Sequence, residues 1–269
     1  MEGIVSRVNV IPVLAVDGVD SAVETVRALV AGGLPVVEIT LRTPAAPAAI
    51  RAAAGLPGAV VGAGTVLTGA DLQGAVDAGA AFAVSPGATP SLLTAARHNG
   101  VPFMPGVATP SEVQGALEAG FTHLKFFPAG VAGGVAMLRA LAGPFADVRF
   151  CPTGGIDPAS APDYLALDNV VCVGGSWLAP PASVAAGDWA GTAGHARRSP
   201  SSPAVASGLA PTAPRRASSG GSSRTSARSC ARSSICSRVR TARCCGAACC
   251  TTTSRWCGFR QGARADWWR

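Results

Sequence analysis

Residues 101–127 read VPFMPGVATPSEVQGALEAGFTHLKFF and contain one complete strand–helix–strand unit. Two short apolar runs, Val101–Val107 and His123–Phe127, flank a stretch that predicts an amphipathic helix over Ser111–Glu118. The preceding Thr109-Pro110 supplies a capping hydroxyl and a proline suited to the first helical position, and a glycine ends the stretch. This order is typical of the βα units from which parallel sheets are built.

The same alternation extends along the chain from Val8 to Trp177, with further helical stretches such as Ser21–Val30. Eight apolar, β-branched runs are predicted strands: Val8–Val16, Val36–Leu41, Ala59–Leu67, Ala81–Ser85, Val101–Val107, His123–Phe127, Val148–Cys151 and Val170–Val173. Eight βα units in this length predict a compact (β/α)8 barrel, a TIM barrel, within residues 1–190. An open doubly wound sheet stays the alternative, because the sequence alone does not give the strand order.

Chemistry in such barrels lies at the carboxyl ends of the strands, where polar or glycine-rich residues are therefore informative. The strand ends offer Glu38 with Arg42, Gly64-Thr65, Ser85-Pro86-Gly87, Pro105-Gly106, Lys125, Thr153-Gly154-Gly155 and Gly174-Gly175-Ser176. We expect these groups to meet at one face of the barrel.

Lys125 is the only lysine among the 22 lysines and arginines of the chain, and it lies in an apolar strand beside Phe126 and Phe127. An amine can lose its proton and act as a nucleophile, whereas a guanidinium cannot. Burial disfavours the charged form of an amine, which is how Schiff-base lysines are activated. The alternative is a strand-end lysine that reaches solvent or pairs with a carboxylate.

Glu38 shares one face of its strand with Val36 and Thr40, and a carboxylate on the inner face of a barrel suits general acid and base catalysis. A structural ion pair with Arg42 or Lys125 is the alternative. Arg42 follows at the strand end, where its planar fork could hold a substrate carboxylate or cap the next helix.

The two glycine pairs, Gly154-Gly155 and Gly174-Gly175, follow the seventh and eighth predicted strands. Barrels commonly build a phosphate site at this place from backbone N–H groups, and glycine permits close approach of the anion. Each pair alone is an ordinary turn signal, but together they predict a phosphate site.

The motifs, taken together and in order, resemble those of the bacterial 2-keto-3-deoxy-6-phosphogluconate (KDPG) aldolases over about residues 8–190. The segments that carry the resemblance are Val37–Thr43 (VEITLRT), Gly62–Leu67 (GAGTVL), Ser85–Gly87 (SPG), Lys125–Ala129 (KFFPA), Phe150–Ile156 (FCPTGGI) and Gly174–Leu178 (GGSWL). The resemblance implies a class I, metal-free aldolase on a (β/α)8 barrel. Members are usually trimers and serve the Entner–Doudoroff pathway, and many also cleave 4-hydroxy-2-oxoglutarate.

The resemblance also implies roles for individual residues. Lys125 would form the Schiff base with the C2 ketone, and Glu38 would transfer protons. The pyruvate end would be held by Arg42, Thr65 and backbone near Thr153, and the phosphate by Gly154, Gly155, Gly175 and Ser176, with Pro86 and Phe127 lining the pocket. The roles of Thr65 and Pro86 come from the resemblance alone.

No cofactor is expected, since a protonated imine is itself an electron sink. In residues 1–190 the histidines His98 and His123 do not match a metal-ligand set, which argues against a class II aldolase. We expect a cytoplasmic enzyme whose partners are its phosphorylated keto-deoxy sugar acid and two further copies of the chain. Alternatives are an aldolase for the galactonate-derived isomer and a phosphate-binding isomerase in which Lys125 is an electrostatic clamp.

The chain divides near residue 190. Residues 1–190 carry eight Lys+Arg and fourteen Asp+Glu, whereas residues 191–269 carry fourteen and one, together with seven of the nine cysteines. The resemblance also stops there, where the family has a final helix. We therefore predict a low-complexity, disordered tail produced by a frameshift, and no membrane or nucleic-acid partner, although the basic tail leaves nucleic acid as an alternative. Loss of the last helix would also permit an inactive, aggregation-prone relic of an aldolase.

Overall fold

The structure is a computed structural model that describes residues 1–199. Its strands are β1 (Val10–Leu14), β2 (Val36–Thr40), β3 (Val60–Gly64), β4 (Phe82–Val84), β5 (Phe103–Met104), β6 (Gly106–Val107), β7 (His123–Phe126), β8 (Arg149–Pro152) and β9 (Val173–Gly175). Its helices are α1 (Glu2–Val5), α2 (Val19–Ala31), α3 (Ala46–Ala54), α4 (Gly69–Asp77), α5 (Pro90–Asn99), α6 (Pro110–Glu118), α7 (Gly134–Ala142), α8 (Ala161–Leu165), α9 (Pro181–Ala185) and α10 (Trp189–Arg198).

The strands form a closed ring in which every described pairing is parallel. Six strands run in the order β5-β4-β3-β2-β1-β9 and three in the order β6-β7-β8. β5 and β6 form one ring position, interrupted by Pro105, and bridges from Phe150 to Val170 and from Thr153 to Gly174 join β8 to the last strand. The ring has eight positions, which confirms the predicted (β/α)8 barrel and excludes the open sheet.

The helix predicted from residues 101–127 is α6, and its start matches the sequence pattern. The Thr109 hydroxyl accepts a hydrogen bond from the Glu112 N–H at 3.3 Å, and the Glu112 carboxylate accepts one from the Thr109 N–H at 2.9 Å. This reciprocal capping satisfies two of the N–H groups that a helix start leaves free. The next strand, β7, begins at His123, as predicted.

The core lies between the ring of strands and the helices around it. Phe126 on β7 and Phe150 on β8 are fully buried there and pack edge to face, with ring centroids 6.3 Å apart. Because side chains alternate along a strand, the neighbours of these residues point into the barrel. This alternation directs Lys125 to the interior of the ring.

The last predicted strand lies a few residues too early. The expected run was Val170–Val173, whereas β9 spans Val173–Gly175 and pairs with β1 from Val10 to Pro12. Val170 makes only an isolated bridge to β8. The glycines of the sequence motif Gly174-Gly175 therefore lie inside the strand rather than after it.

The end of the barrel also differs from expectation, because a final helix is present. α10 begins at Asp188, whose carboxylate accepts a hydrogen bond from the Gly191 N–H at 2.8 Å, and it buries Thr192, Ala193 and Ala196. It packs on α2. The prediction that the chain lacks a final helix was therefore wrong, because small residues pack this helix closely. The predicted boundary at residue 190 falls within α10. The rest of the predicted tail, residues 200–269, lies outside the described residues.

None of the helices in residues 1–199 is long and apolar enough to span a membrane.

Candidate active site

Lys125 and Glu38 meet inside the barrel from opposite sides of the ring. Lys125 is on β7 and Glu38 on β2, and four ring positions separate these strands. The Lys125 Nζ lies 3.3 Å from the Glu38 Oε1, and the two residues are 5% and 4% exposed. A buried amine and carboxylate at this distance can exchange a proton directly.

An aromatic ring lies beside the amine of this pair. The Lys125 Nζ lies 5.3 Å from the centroid of the Phe127 ring, which is half-buried. Phe127 in turn contacts the loop after β8, where a Cβ on Gly154 would come within 3.1 Å of its ring. The structure therefore brings Lys125, Glu38, Phe127 and Gly154 into one continuous group.

Arg42 does not pair with Glu38. It is exposed just beyond the carboxyl end of β2, and its guanidinium makes no ion pair or hydrogen bond within the part of the chain that the structure describes. Of the two ion pairs weighed for Glu38, only that with Lys125 is formed. A free cation at a strand end is available to a carboxylate ligand.

Thr65 follows β3 at the same end of the barrel and has an unusual backbone. Its φ is +58°, and in residues 1–199 it is the one non-glycine residue in the left-handed region. A β-branched residue is strained there, and such strain is concentrated at functional sites. Nothing in the sequence marks this conformation, so this signal was not accessible before the structure.

Pro86 is half-buried after β4, beside the ring position that β5 and β6 share. The fully buried Ser85 hydroxyl accepts a hydrogen bond from the Gly106 N–H at 3.2 Å, and a Cβ on Gly106 would overlap the Pro86 backbone. These contacts fix the position of Pro86 at the carboxyl end of the strands.

The loop after β8 provides backbone donors for an anion. Gly154 and Gly155 have φ values of +94° and +74°, which favour glycine. The Gly154 carbonyl accepts a hydrogen bond from the Gly130 N–H at 2.9 Å, which anchors the loop, whereas the N–H groups of Gly154 and Gly155 donate none within residues 1–199. Free N–H groups in such a loop can bind an anion.

The last strand brings the second glycine pair to this loop. Thr153 forms a bridge with Gly174, and a Cβ on Gly174 would overlap the Thr153 side chain. Gly175 ends β9 and Ser176 is exposed directly after it. The two glycine motifs are thus neighbours, as the phosphate-site prediction requires.

Two buried thiols, Cys151 and Cys172, also lie in the barrel, on strands that the sequence predicted but without a predicted role in the site. Cys151 on β8 is the register partner of Lys125, and Cys172 is fully buried. Contact with Cys151 and burial raise the pKa of the Cys172 thiol well above its usual range, with a smaller effect of the negative charge of Glu38. Both thiols are free.

Within residues 1–199, no group of three or more His, Cys, Asp or Glu side chains is placed to hold a metal ion.

A closed parallel barrel with a buried amine–carboxylate pair at the carboxyl ends of its strands defines a (β/α)8-barrel enzyme. The family model for KDPG and KHG aldolase matches residues 1–193. The KHG/KDPG aldolase of Escherichia coli strain K12 is 51% identical over 189 residues, which are 70% of this chain and 89% of the relative. The chain belongs to the KDPG and KHG aldolase family, whose members are lyases.

Solved structures agree with this assignment. A KDPG aldolase from Legionella pneumophila, with pyruvate captured as a covalent carbinolamine intermediate, is 42% identical, with a TM-score of 0.71 over 72% of this chain and 95% of that one. The KDPG aldolase of Zymomonas mobilis ZM4 with 3-phosphoglycerate is 44% identical, with a TM-score of 0.71 over 73% of this chain and 92% of that one.

Proposed function

We propose that this chain is a class I aldolase that cleaves 2-keto-3-deoxy-6-phosphogluconate to pyruvate and D-glyceraldehyde 3-phosphate. It also cleaves 4-hydroxy-2-oxoglutarate to pyruvate and glyoxylate. The observation that carries the proposal is the buried Lys125 amine, 3.3 Å from the Glu38 carboxylate inside the barrel. Family membership supports it, as does the covalent carbinolamine of pyruvate in the Legionella pneumophila relative.

The Lys125–Glu38 pair can carry out each proton transfer of the reaction. Glu38 takes a proton from the Lys125 ammonium, and the free amine attacks the C2 ketone to form a carbinolamine. Glu38 returns the proton to the departing hydroxyl, so that water leaves and a protonated imine forms.

The imine then draws the electrons of the C3–C4 bond as that bond breaks. Glu38 accepts the proton of the C4 hydroxyl, the aldehyde departs, and an enamine remains on Lys125. Protonation of the enamine at C3 and addition of water to the imine release pyruvate and restore the amine. Because the imine is the electron sink, the proposal includes no cofactor.

The remaining groups at the carboxyl ends of the strands hold the two ends of the substrate. The unpaired Arg42 and the strained Thr65, with backbone near Thr153, bind the carboxylate of the pyruvate portion. The free N–H groups of Gly154 and Gly155 support a phosphate site. Gly175 and Ser176 complete that site, and Pro86 and Phe127 line the space between the two ends.

The proposal extends to assembly and location. The resemblance to the aldolase family supports a homotrimer of the Entner–Doudoroff pathway. Two free thiols, Cys151 and Cys172, suit a reducing compartment and support a cytoplasmic location. Light scattering should give a mass of about 80 kDa for three chains of 26.7 kDa.

Borohydride trapping with pyruvate tests the chemistry. Reduction should fix a pyruvyl adduct on Lys125, located by intact mass and peptide mapping; as the chain has one lysine, only the N-terminal amine needs to be distinguished. Lys125→Arg, which keeps the charge beside Glu38 but cannot form an imine, should show no adduct. Folded, compact protein that gives no adduct would contradict the Schiff-base assignment.

Cleavage assays with the gluconate- and galactonate-derived substrates should favour the former.

Protein found only in inclusion bodies, and rescued by restoring the reading frame after residue 190, would instead support the inactive relic.

A further inference from the structure

Gly64 lies directly under the Glu38 carboxylate at the end of β3. Glu38 is the register partner of Gly62, whereas its carboxylate reaches Gly64, two residues nearer the carboxyl end of β3. A Cβ built on Gly64 would lie 2.6 Å from the Glu38 Cδ and 2.7 Å from its Cγ, and closer still to Oε1. Real Cβ atoms essentially never come this close to another heavy atom.

The backbone itself does not require a glycine here. The φ of Gly64 lies outside the left-handed region, so an L-residue could adopt the same conformation. The requirement is for space, and the three heavy atoms nearest to such a Cβ all belong to the Glu38 side chain. Its displacement matters because the hydrogen bond to the Lys125 Nζ is already 3.3 Å long.

We propose that Gly64 is a positioning residue, whose missing side chain leaves the space that the Glu38 carboxylate occupies when it reaches Lys125. The inference rests on the proposed function, in which Glu38 transfers protons to and from the substrate. A side chain at position 64 would then slow proton transfer. It would not affect substrate binding, which depends on Arg42 and the backbone donors of the phosphate site.

The test is Gly64→Ala, made in the unaltered chain and in a Glu38→Ala background. Gly62→Ala is the matched control, since Gly62 is on the same strand and face but its Cβ would overlap the Phe82 ring instead of Glu38. Steady-state kinetics give kcat and KM for aldol cleavage, borohydride trapping with pyruvate gives the rate of imine formation, and thermal unfolding gives Tm.

We expect Gly64→Ala to lower kcat by about 100-fold in the unaltered chain, because a displacement of about 1 Å has that effect, while KM changes little. Imine formation should slow in parallel. In the Glu38→Ala background, Gly64→Ala should lower neither the remaining rate nor Tm. Gly62→Ala should lower Tm by the same amount in both backgrounds.

An unchanged kcat in Gly64→Ala, or an equal loss of rate with and without Glu38, would overturn the proposal. If Gly64→Ala does not fold in the unaltered chain, the Glu38→Ala background decides. A Gly64→Ala/Glu38→Ala double variant with the same Tm as Glu38→Ala alone supports the clash with Glu38. A double variant that does not fold overturns the proposal. If the unaltered chain neither traps pyruvate nor cleaves substrate, the proposed function is wrong, independently of Gly64. The steric contact is then still tested by comparing the effect of Gly64→Ala on Tm with and without the Glu38 side chain.

Discussion

The buried Lys125–Glu38 pair is costly to the fold, and this cost is an argument for its role in the reaction. Both charges leave water, and the pair makes one hydrogen bond, of 3.3 Å. Desolvation of two charges is only repaid by close geometry and further hydrogen bonds, so such a pair contributes little net stability. A barrel selected for stability alone would place apolar side chains at these positions.

The double variant Lys125→Met/Glu38→Leu should therefore lose all cleavage activity. Its free energy of unfolding should equal that of the unaltered chain or exceed it by up to about 4 kcal/mol. Each single substitution should be less stable than the double variant, because it leaves one buried group without its partner. Urea unfolding of the four proteins measures this. A double variant that is several kcal/mol less stable than the parent would show that the pair is structural.

Thr65 stores strain at the mouth of the barrel, and this strain can be separated from its side-chain function. Thr65→Gly should leave the free energy of unfolding unchanged or raise it slightly: relief of about 1–3 kcal/mol of backbone strain exceeds the entropic cost of glycine, about 0.5–1 kcal/mol. The variant should also raise KM for the keto acid.

Thr65→Ala is the control, since it removes the hydroxyl but keeps a Cβ at a φ of +58°. It should show the same rise in KM but a lower Tm than Thr65→Gly. Equal Tm values for the two variants would mean that the strain of the left-handed conformation is no larger than the entropic cost of glycine, about 0.5–1 kcal/mol.

At the scale of single elements, local chemistry accounts for what the sequence could predict. The capped start of α6 follows from Thr109-Pro110 because the cap involves neighbours in the chain. The bounds of β9 could not be predicted from local pattern, since its pairing with β1 joins residues more than 160 positions apart. Gly174-Gly175 looks like a turn until that pairing places it in a strand.

The α6 cap gives a prediction with a pH dependence. Partial burial acts to raise the pKa of Glu112, but hydrogen bonds from the Ala108 N–H and from the Thr109 hydroxyl and N–H outweigh it, and the net pKa is below its usual 4.5. A lowered pKa in the folded state means that the carboxylate stabilises the fold above pH 4.5 and loses this effect as the pH falls through the lowered value.

Glu112→Gln should therefore reduce Tm by about 2–4 °C at pH 7, corresponding to about 1 kcal/mol for a capping contact, and the difference should shrink below pH 4.5. Glu118→Gln at the other end of α6 is the control and should not lower Tm, because an acid there opposes the helix dipole. A difference that persists unchanged at pH 3 would contradict the role of the charged carboxylate.

At the scale of the whole molecule, ring closure makes the site. Glu38 and Lys125 are 87 residues apart in sequence and meet only because β2 and β7 lie opposite each other in the ring of eight strand positions. The sequence marks both Glu38 and Lys125 as unusual. It does not decide whether Glu38 pairs with Arg42 or with Lys125. Gly64 had no signal of its own, since the space that it leaves is defined by a side chain from another strand.

The end of the barrel gives the last prediction, because α10 completes the packing on α2. Gly32 at the end of α2 has no side chain, and a Cβ there would overlap Ala196 and come within 2.8 Å of the Ala193 carbonyl oxygen, so the two helices are in close contact. All the proposed site residues and α10 lie within residues 1–199.

A chain that ends at Ser199 should therefore keep the Tm and kcat/KM of the full chain. One that ends at Gly187 uncovers the α2 face and should aggregate, because the buried apolar area of α10 is worth several kcal/mol. Solubility, thermal unfolding and aldol cleavage of the three proteins measure this. If the chain ending at Ser199 unfolds while the full chain is active, residues 200–269 contribute to the fold, and the frameshift hypothesis for them is wrong.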